Sequence, residues 1–153
     1  MKYGLKFCDP KHHYKRMQLD LTITLPGLFD LENMVHLSNE LNIELLTKQV
    51  FNFSNDNAMA PLFMPYDIMS EIIKDARDKT IKYKNKNLRN FFGQLDEMLV
   101  QKRNNELVYS EEEYTKGQKT GKAEIERLDR IRGTDIQKIL AKNKRALEWW
   151  KSI

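Results

Sequence analysis

At 153 residues, 41% of them apolar and 31% charged, the chain fits one domain and is long enough to bury a core. Its longest apolar stretch, Leu25 to Leu31, is broken by Pro26, Gly27 and Asp30, and with a mean hydropathy of −0.67 this argues against a membrane span. A single cysteine, Cys8, excludes an intrachain disulfide and fits a reducing, cytoplasmic compartment.

The net charge of +4 is uneven. Residues 1–60 carry six Lys/Arg against seven Asp/Glu, and residues 61–153 carry twenty against fifteen. The positive surplus therefore falls in the second half, where it favours an anionic partner without naming one.

At the start of the chain, Met1-Lys2-Tyr3-Gly4-Leu5-Lys6 leads into no apolar run, so no signal peptide is expected. Cys8, His12 and His13 form the one soft-ligand cluster, with Asp9-Pro10-Lys11 reading as a turn between them. A zinc or iron site wants a third or fourth ligand at fixed spacing, and the remaining histidine, His36, falls on a helix. A solvated loop is the expectation, and no metal site is assigned.

Met17 to Leu25 alternates strictly: Met17, Leu19, Leu21, Ile23 and Leu25 share one face, and Gln18, Asp20, Thr22 and Thr24 the other. That period predicts a strand with one buried and one polar face. Pro26-Gly27 ends it. Asp30 then suits the N-cap of a helix to about Asn42, with Leu31, Met34, Val35 and Leu41 on one stripe. A second strand is expected over Ile43 to Phe53, rich in β-branched and aromatic residues. Strand, helix, strand makes a βαβ unit with parallel strands.

Ser54 to Asn57 reads as loop. From Pro65 the spacing turns helical, with Ile68, Met69, Ile72, Ile73 and Ala76 on one face. A further helix is expected across Leu88, Phe91, Phe92, Leu95, Met98 and Leu99, whose aromatic stripe reads as core. Ser110 with Glu113 predicts a capping box opening a short helix, interrupted by Gly117 and Gly121. A helix near Ala123 to Ile131 follows, stopped by Gly133. Thr134 with Gln137 predicts another capping box, opening a last helix with Ile136, Ile139, Leu140, Leu147 and Trp150 inward and Trp149 at the edge.

The expected fold class is thus α/β: a βαβ segment over residues 1–60 and a mainly helical region over 61–153, together one compact unit. A two-stranded parallel sheet is a poor stand-alone element, because both edges present unpaired backbone groups. Either Leu5 to Cys8 or Leu107 to Tyr109 supplies another strand, or the unit is the last piece of a larger sheet.

Lys79, Lys82, Lys84, Lys86 and Arg89, with Tyr83 among them, form the densest basic stretch. Such lysines neutralise phosphates and a tyrosine stacks on a base; the plainer reading is a solvated linker between two helices, since no nucleic-acid-binding motif accompanies the charge. Asp20 is the lone acid on the polar strand face. An acid or base role there needs a partner carboxylate or histidine that the sequence does not place beside it, so no catalytic residue is assigned.

Three runs carry a family resemblance. Met17-Gln-Leu-Asp-Leu-Thr-Ile-Thr-Leu-Pro-Gly-Leu-Phe-Asp-Leu-Glu-Asn-Met-Val-His-Leu resembles the late strand and helix of twitch-domain radical S-adenosylmethionine proteins, a group common in phage and environmental sequences. Val50 to Ile73, with Ala60-Pro61-Leu62-Phe63-Met64-Pro65 leading into a helix, is similar to that group's next strand and helix. Leu128 to Asp135 resembles its closing motif. The resemblance covers roughly half the chain and implies a partial (β/α) barrel, with this chain as its C-terminal portion. Asp20, Thr22 and Thr24 would then line the cavity where S-adenosylmethionine and substrate meet.

The chain departs from that family where chemistry matters most. A 4Fe-4S cluster of this type needs three thiolates from a CxxxCxxC loop, and one cysteine cannot hold it. No cofactor is therefore expected on this chain alone, and the implied role is barrel wall, substrate-side cover or partner docking beside a missing N-terminal part or another protein. The alternative, from a different class, is a small basic accessory protein that binds nucleic acid or another protein through its helical half.

Overall fold

A computed structural model describes residues 18–49, 60–83, 86–108 and 110–153. The architecture is mixed α/β and mostly helical, with one two-stranded parallel sheet. Strand β1 covers Gln18–Ile23. Its alternation is realised over these six residues: Leu19 and Ile23 are buried and Leu21 half-buried, while Gln18, Asp20 and Thr22 are exposed; the strand stops short of the expected Leu25, and Met17 lies outside the described residues. The chain then tightens at Thr24, whose hydroxyl accepts from the Gly27 N–H at 3.1 Å and whose carbonyl accepts from the Leu28 N–H at 3.1 Å. A tight helical turn, Pro26–Asp30, leads into α1, Leu31–Leu41.

Asp30 stands at the N-cap of α1, but its carboxylate accepts from Asn33 Nδ2 at 2.6 Å and makes no cap bond to the backbone. At the other end Asn42 takes φ 52°, a left-handed conformation that asparagine tolerates better than most residues. Buried Ser38 donates to the Ile43 carbonyl at 2.7 Å and accepts, through its own carbonyl, the Ile43 N–H at 3.1 Å. This pair of hydrogen bonds turns the chain directly into β2, Glu44–Gln49, which pairs in parallel from Gln18↔Glu44 to Ile23↔Gln49.

The outer side of β2 is occupied by a side chain. Thr47 gives both its N–H (3.1 Å) and its hydroxyl (2.6 Å) to Gln94 Oε1, which satisfies a donor that a third strand would otherwise take. Gln94 belongs to α3, Lys86–Val108, which packs on β2 with Leu88, Phe91, Leu95 and Met98 buried. Before it comes α2, Tyr66–Thr80, entered through a short turn at Pro61–Phe63, with Pro65 at its N-cap position. Its buried Ile68, Met69, Ile72, Ile73 and Ala76 are the stripe the spacing indicates.

Helix α4 runs unbroken over Glu111–Arg132 and opens with the expected capping box: the Glu113 N–H reaches Ser110 Oγ at 3.2 Å, and the Ser110 N–H reaches Glu113 Oε2 at 2.9 Å. It ends at Gly133, φ 65°. Here the sequence reading needs correction. Gly117 and Gly121 do not interrupt the helix but are buried within it. The Phe63 ring lies so close that a Cβ at Gly117 would stand 2.3 Å from Phe63 Cε1; Gly117 serves close packing rather than helix breaking.

The expected single last helix is two. Asp135 rather than Thr134 caps α5, Ile136–Leu140, accepting from the Gln137 N–H at 2.9 Å, because the Thr134 hydroxyl is engaged with Asp129 Oδ1 at 2.5 Å. Asn143 then caps α6, Lys144–Ser152, accepting from the Ala146 N–H at 3.0 Å. Leu107 and Val108 lie in α3, so they supply no third strand. Tyr109, Leu5 to Cys8 and the expected continuation of β2 over Val50 to Phe53 lie outside the described residues.

One core joins both halves, from Leu19, Ile23 and Leu45 through Ile73 and Phe91 to Leu140 and Trp150. Trp150 is inward as expected, its carbonyl accepting from Lys122 Nζ at 2.8 Å. Lys102 is the surprise: it is fully buried, and it donates to the Tyr114 hydroxyl, which also bonds the Leu62 and Met64 carbonyls at 3.1 and 3.3 Å. A buried ammonium is tolerated only with such partners. Among the described residues no helix is long and apolar enough to cross a membrane.

Candidate functional site

The residues singled out on β1 are distributed as follows. Asp20 and Thr22 lie on the exposed polar face, where Asp20 Oδ2 meets Lys48 Nζ of β2 at 2.6 Å. Both partners are well solvated, so this pair contributes little to stability. Thr24 is half-buried, and its hydroxyl serves the turn at Gly27.

The basic stretch is split by the fold. Lys79 sits in the last turn of α2, with Nζ 2.8 Å from Asp75 and 3.4 Å from Glu32 of α1; the hydrogen bond it donates to Asp75, chiefly, holds its ammonium above the usual lysine range. Lys82 Nζ lies 5.3 Å from the centre of the Tyr83 ring. Lys84 and the side chains of Lys86 and Arg89 lie outside the described residues.

The helix contacts bring together a cluster that the sequence did not announce. His36 of α1 bonds the Tyr83 hydroxyl through Nδ1, with the two rings edge-on at 88° and 5.3 Å between centres. Its Nε2 lies 3.5 Å from Glu32 Oε1, one turn back on the same helix. The other oxygen of Glu32 faces Lys79. Glu32 and His36, four residues apart, were legible as a helix pair; Tyr83, 47 residues further on, was not.

Beside the cluster, α1, α2 and the turn between α5 and α6 enclose a groove of about 180 Å³. Leu31, Ile72 and Ala76 form its apolar part, and Glu32, Lys79 and Lys142 its charged rim. This is below the roughly 300–1,000 Å³ of ligand pockets for drug-sized molecules, so it suits a fragment of a few heavy atoms. Lys142 closes one side by donating to the Phe29 carbonyl at 3.1 Å. Next to it Arg145 bonds Glu71 Oε2 at 2.7 Å and also Asp67, tying α6 to α2, while Asn143 Nδ2 reaches Glu71 Oε1 at 2.9 Å. Asp20, Thr22 and Thr24 do not line this groove.

No protein-family model, curated protein or solved structure matches the chain. Its chemistry must be argued from its own residues. For a 4Fe-4S cluster the donor set does not fit, since three thiolates are needed and the chain has one cysteine. Cys8, His12 and His13 lie outside the described residues, and among the described ones no three His, Cys, Asp or Glu side chains gather as a metal site.

Proposed function

We propose that the chain is a non-catalytic C-terminal segment of a radical S-adenosylmethionine-like enzyme, forming part of the wall of a partial (β/α) barrel and docking on the remainder of that enzyme. The observation that carries this reading is the asymmetry of the sheet. Its two parallel strands bury one face under helices, while the opposite face keeps Gln18, Asp20 and Thr22 exposed. Helices outside and polar side chains on the other face suit a strand pair whose polar side looks into a cavity completed by further strands. With β2 sealed by Gln94, growth of the sheet is expected at β1. The sequence resemblance, whose first run includes β1 itself, points to the same reading.

The test is genetic. The in-frame nucleotides upstream of the Met1 codon are read for a CxxxCxxC-encoding segment, in the same transcript or in a neighbouring gene. Finding one supports the reading; its absence from both contradicts it.

A further inference from the structure

We propose that Tyr83 is a nucleophilic phenol, with His36 as its base and Glu32 as the residue that positions the base, and that it accepts a group from a small anionic electrophile of the phosphoryl or sulfonyl type. This inference goes beyond the barrel reading, in which the chain takes no part in the radical chemistry, and concerns residues other than those of the polar strand face.

The argument is geometric. An activated hydroxyl needs a base within hydrogen-bond reach, and the base needs a third group to orient it. Tyr83 has His36 Nδ1 at hydrogen-bond distance. The Glu32 carboxylate beside Nε2, at 3.5 Å, favours the tautomer with the proton on that nitrogen, which leaves the Nδ1 lone pair to the phenol. Lys79 holds the far oxygen of Glu32 at 3.4 Å, so the carboxylate is fixed from both sides. The imidazole side chain is 37% exposed, open enough to pass its proton on to water.

Contrast with the other described tyrosines sharpens the assignment. The Tyr66 hydroxyl accepts from Arg103 at 2.7 Å, and the Tyr114 hydroxyl is spent on Lys102 and two backbone carbonyls. Neither is set against a base. Lys82 supplies the preference for an anion: its ammonium stands over the Tyr83 ring, is exposed, and makes no ion pair among the described residues. In the step itself the phenolic oxygen forms a bond to phosphorus or sulfur, the bond to the leaving group breaks, and the phenolic proton moves to His36 Nδ1.

The test uses the full chain and para-carboxyphenylsulfonyl fluoride, an anionic probe that loses fluoride on reaction, with peptide mass spectrometry. Tyr83 is expected to react about tenfold or more faster than Tyr66 in the same sample, a modest share of what a positioned base contributes. His36→Gln keeps an acceptor for the hydroxyl but cannot take its proton, and is expected to bring Tyr83 down to the rate of Tyr66. Should that variant not give the wild-type circular dichroism spectrum, Glu32→Gln serves, with a partial loss expected. Lys82→Ala is expected to slow the anionic probe and leave uncharged phenylmethanesulfonyl fluoride unaffected. Equal rates at Tyr83 and Tyr66, or an unchanged Tyr83 rate in a folded His36→Gln or Glu32→Gln protein, overturn the nucleophile; an unchanged rate in Lys82→Ala overturns the anionic substrate.

Discussion

Gly117 and Gly93 are both glycines inside helices, yet their surroundings make opposite demands. At Gly93 a Cβ would meet nothing within 4 Å, whereas at Gly117 it would meet the Phe63 ring at 2.3 Å. Gly93→Ala is therefore expected to raise stability by about 0.5–1 kcal/mol through helix propensity and a less flexible unfolded chain. Gly117→Ala gains the same propensity but must push Phe63 aside, and overpacking of this kind costs about 1–3 kcal/mol. Urea unfolding of the two variants checks this: a lower midpoint for Gly117→Ala beside a higher one for Gly93→Ala is the expected pair. The residue scale also explains why Lys102 escaped the sequence reading. Nothing in Val100-Gln101-Lys102-Arg103 marks the lysine as buried, because its partner Tyr114 belongs to the next helix.

At the scale of elements, local signals were legible and contacts across the fold were not. Period-two alternation placed β1, helical spacing placed α1, α2 and α3, and the Ser110–Glu113 box and Gly133 marked both ends of α4. Each is decided within a few residues. The continuity of α4 through Gly117 depends on Phe63, distant in sequence, and the break between α5 and α6 on Asn143 capping a new helix. The same limit hid the His36–Tyr83 pair. The seam of α6 against α2 offers a direct electrostatic check. Hydrogen bonds from Arg145, chiefly, and then Asn143 hold Glu71 below the usual carboxylate range. A group with a depressed folded value lends its stabilisation at neutral pH and loses it as pH falls through that depressed value. In Arg145→Ala, an NMR titration of the Glu71 carboxyl is expected to move upward toward the ordinary range; an unmoved midpoint would show that the pair does not persist in solution.

For the molecule as a whole, the single core is what ties the βαβ segment to the helical half, and the polar face of β1, exposed among the described residues, is what the proposed barrel reading rests on. The second reading, an accessory protein binding nucleic acid through the basic stretch, draws on the charge surplus of residues 61–153. The ion pairs of Lys79 with Asp75 and Glu32 take one of its cations, while Lys82 stands exposed beside the Tyr83 ring. The most direct test of the barrel reading is calorimetric titration of S-adenosylmethionine into the protein together with the CxxxCxxC-bearing part that this reading requires, reconstituted with iron and sulfide under anaerobic conditions. The account predicts binding that Asp20→Asn and Thr22→Val on the strand face each weaken several-fold. Binding of full strength in both variants, or none in the wild-type assembly, would contradict it.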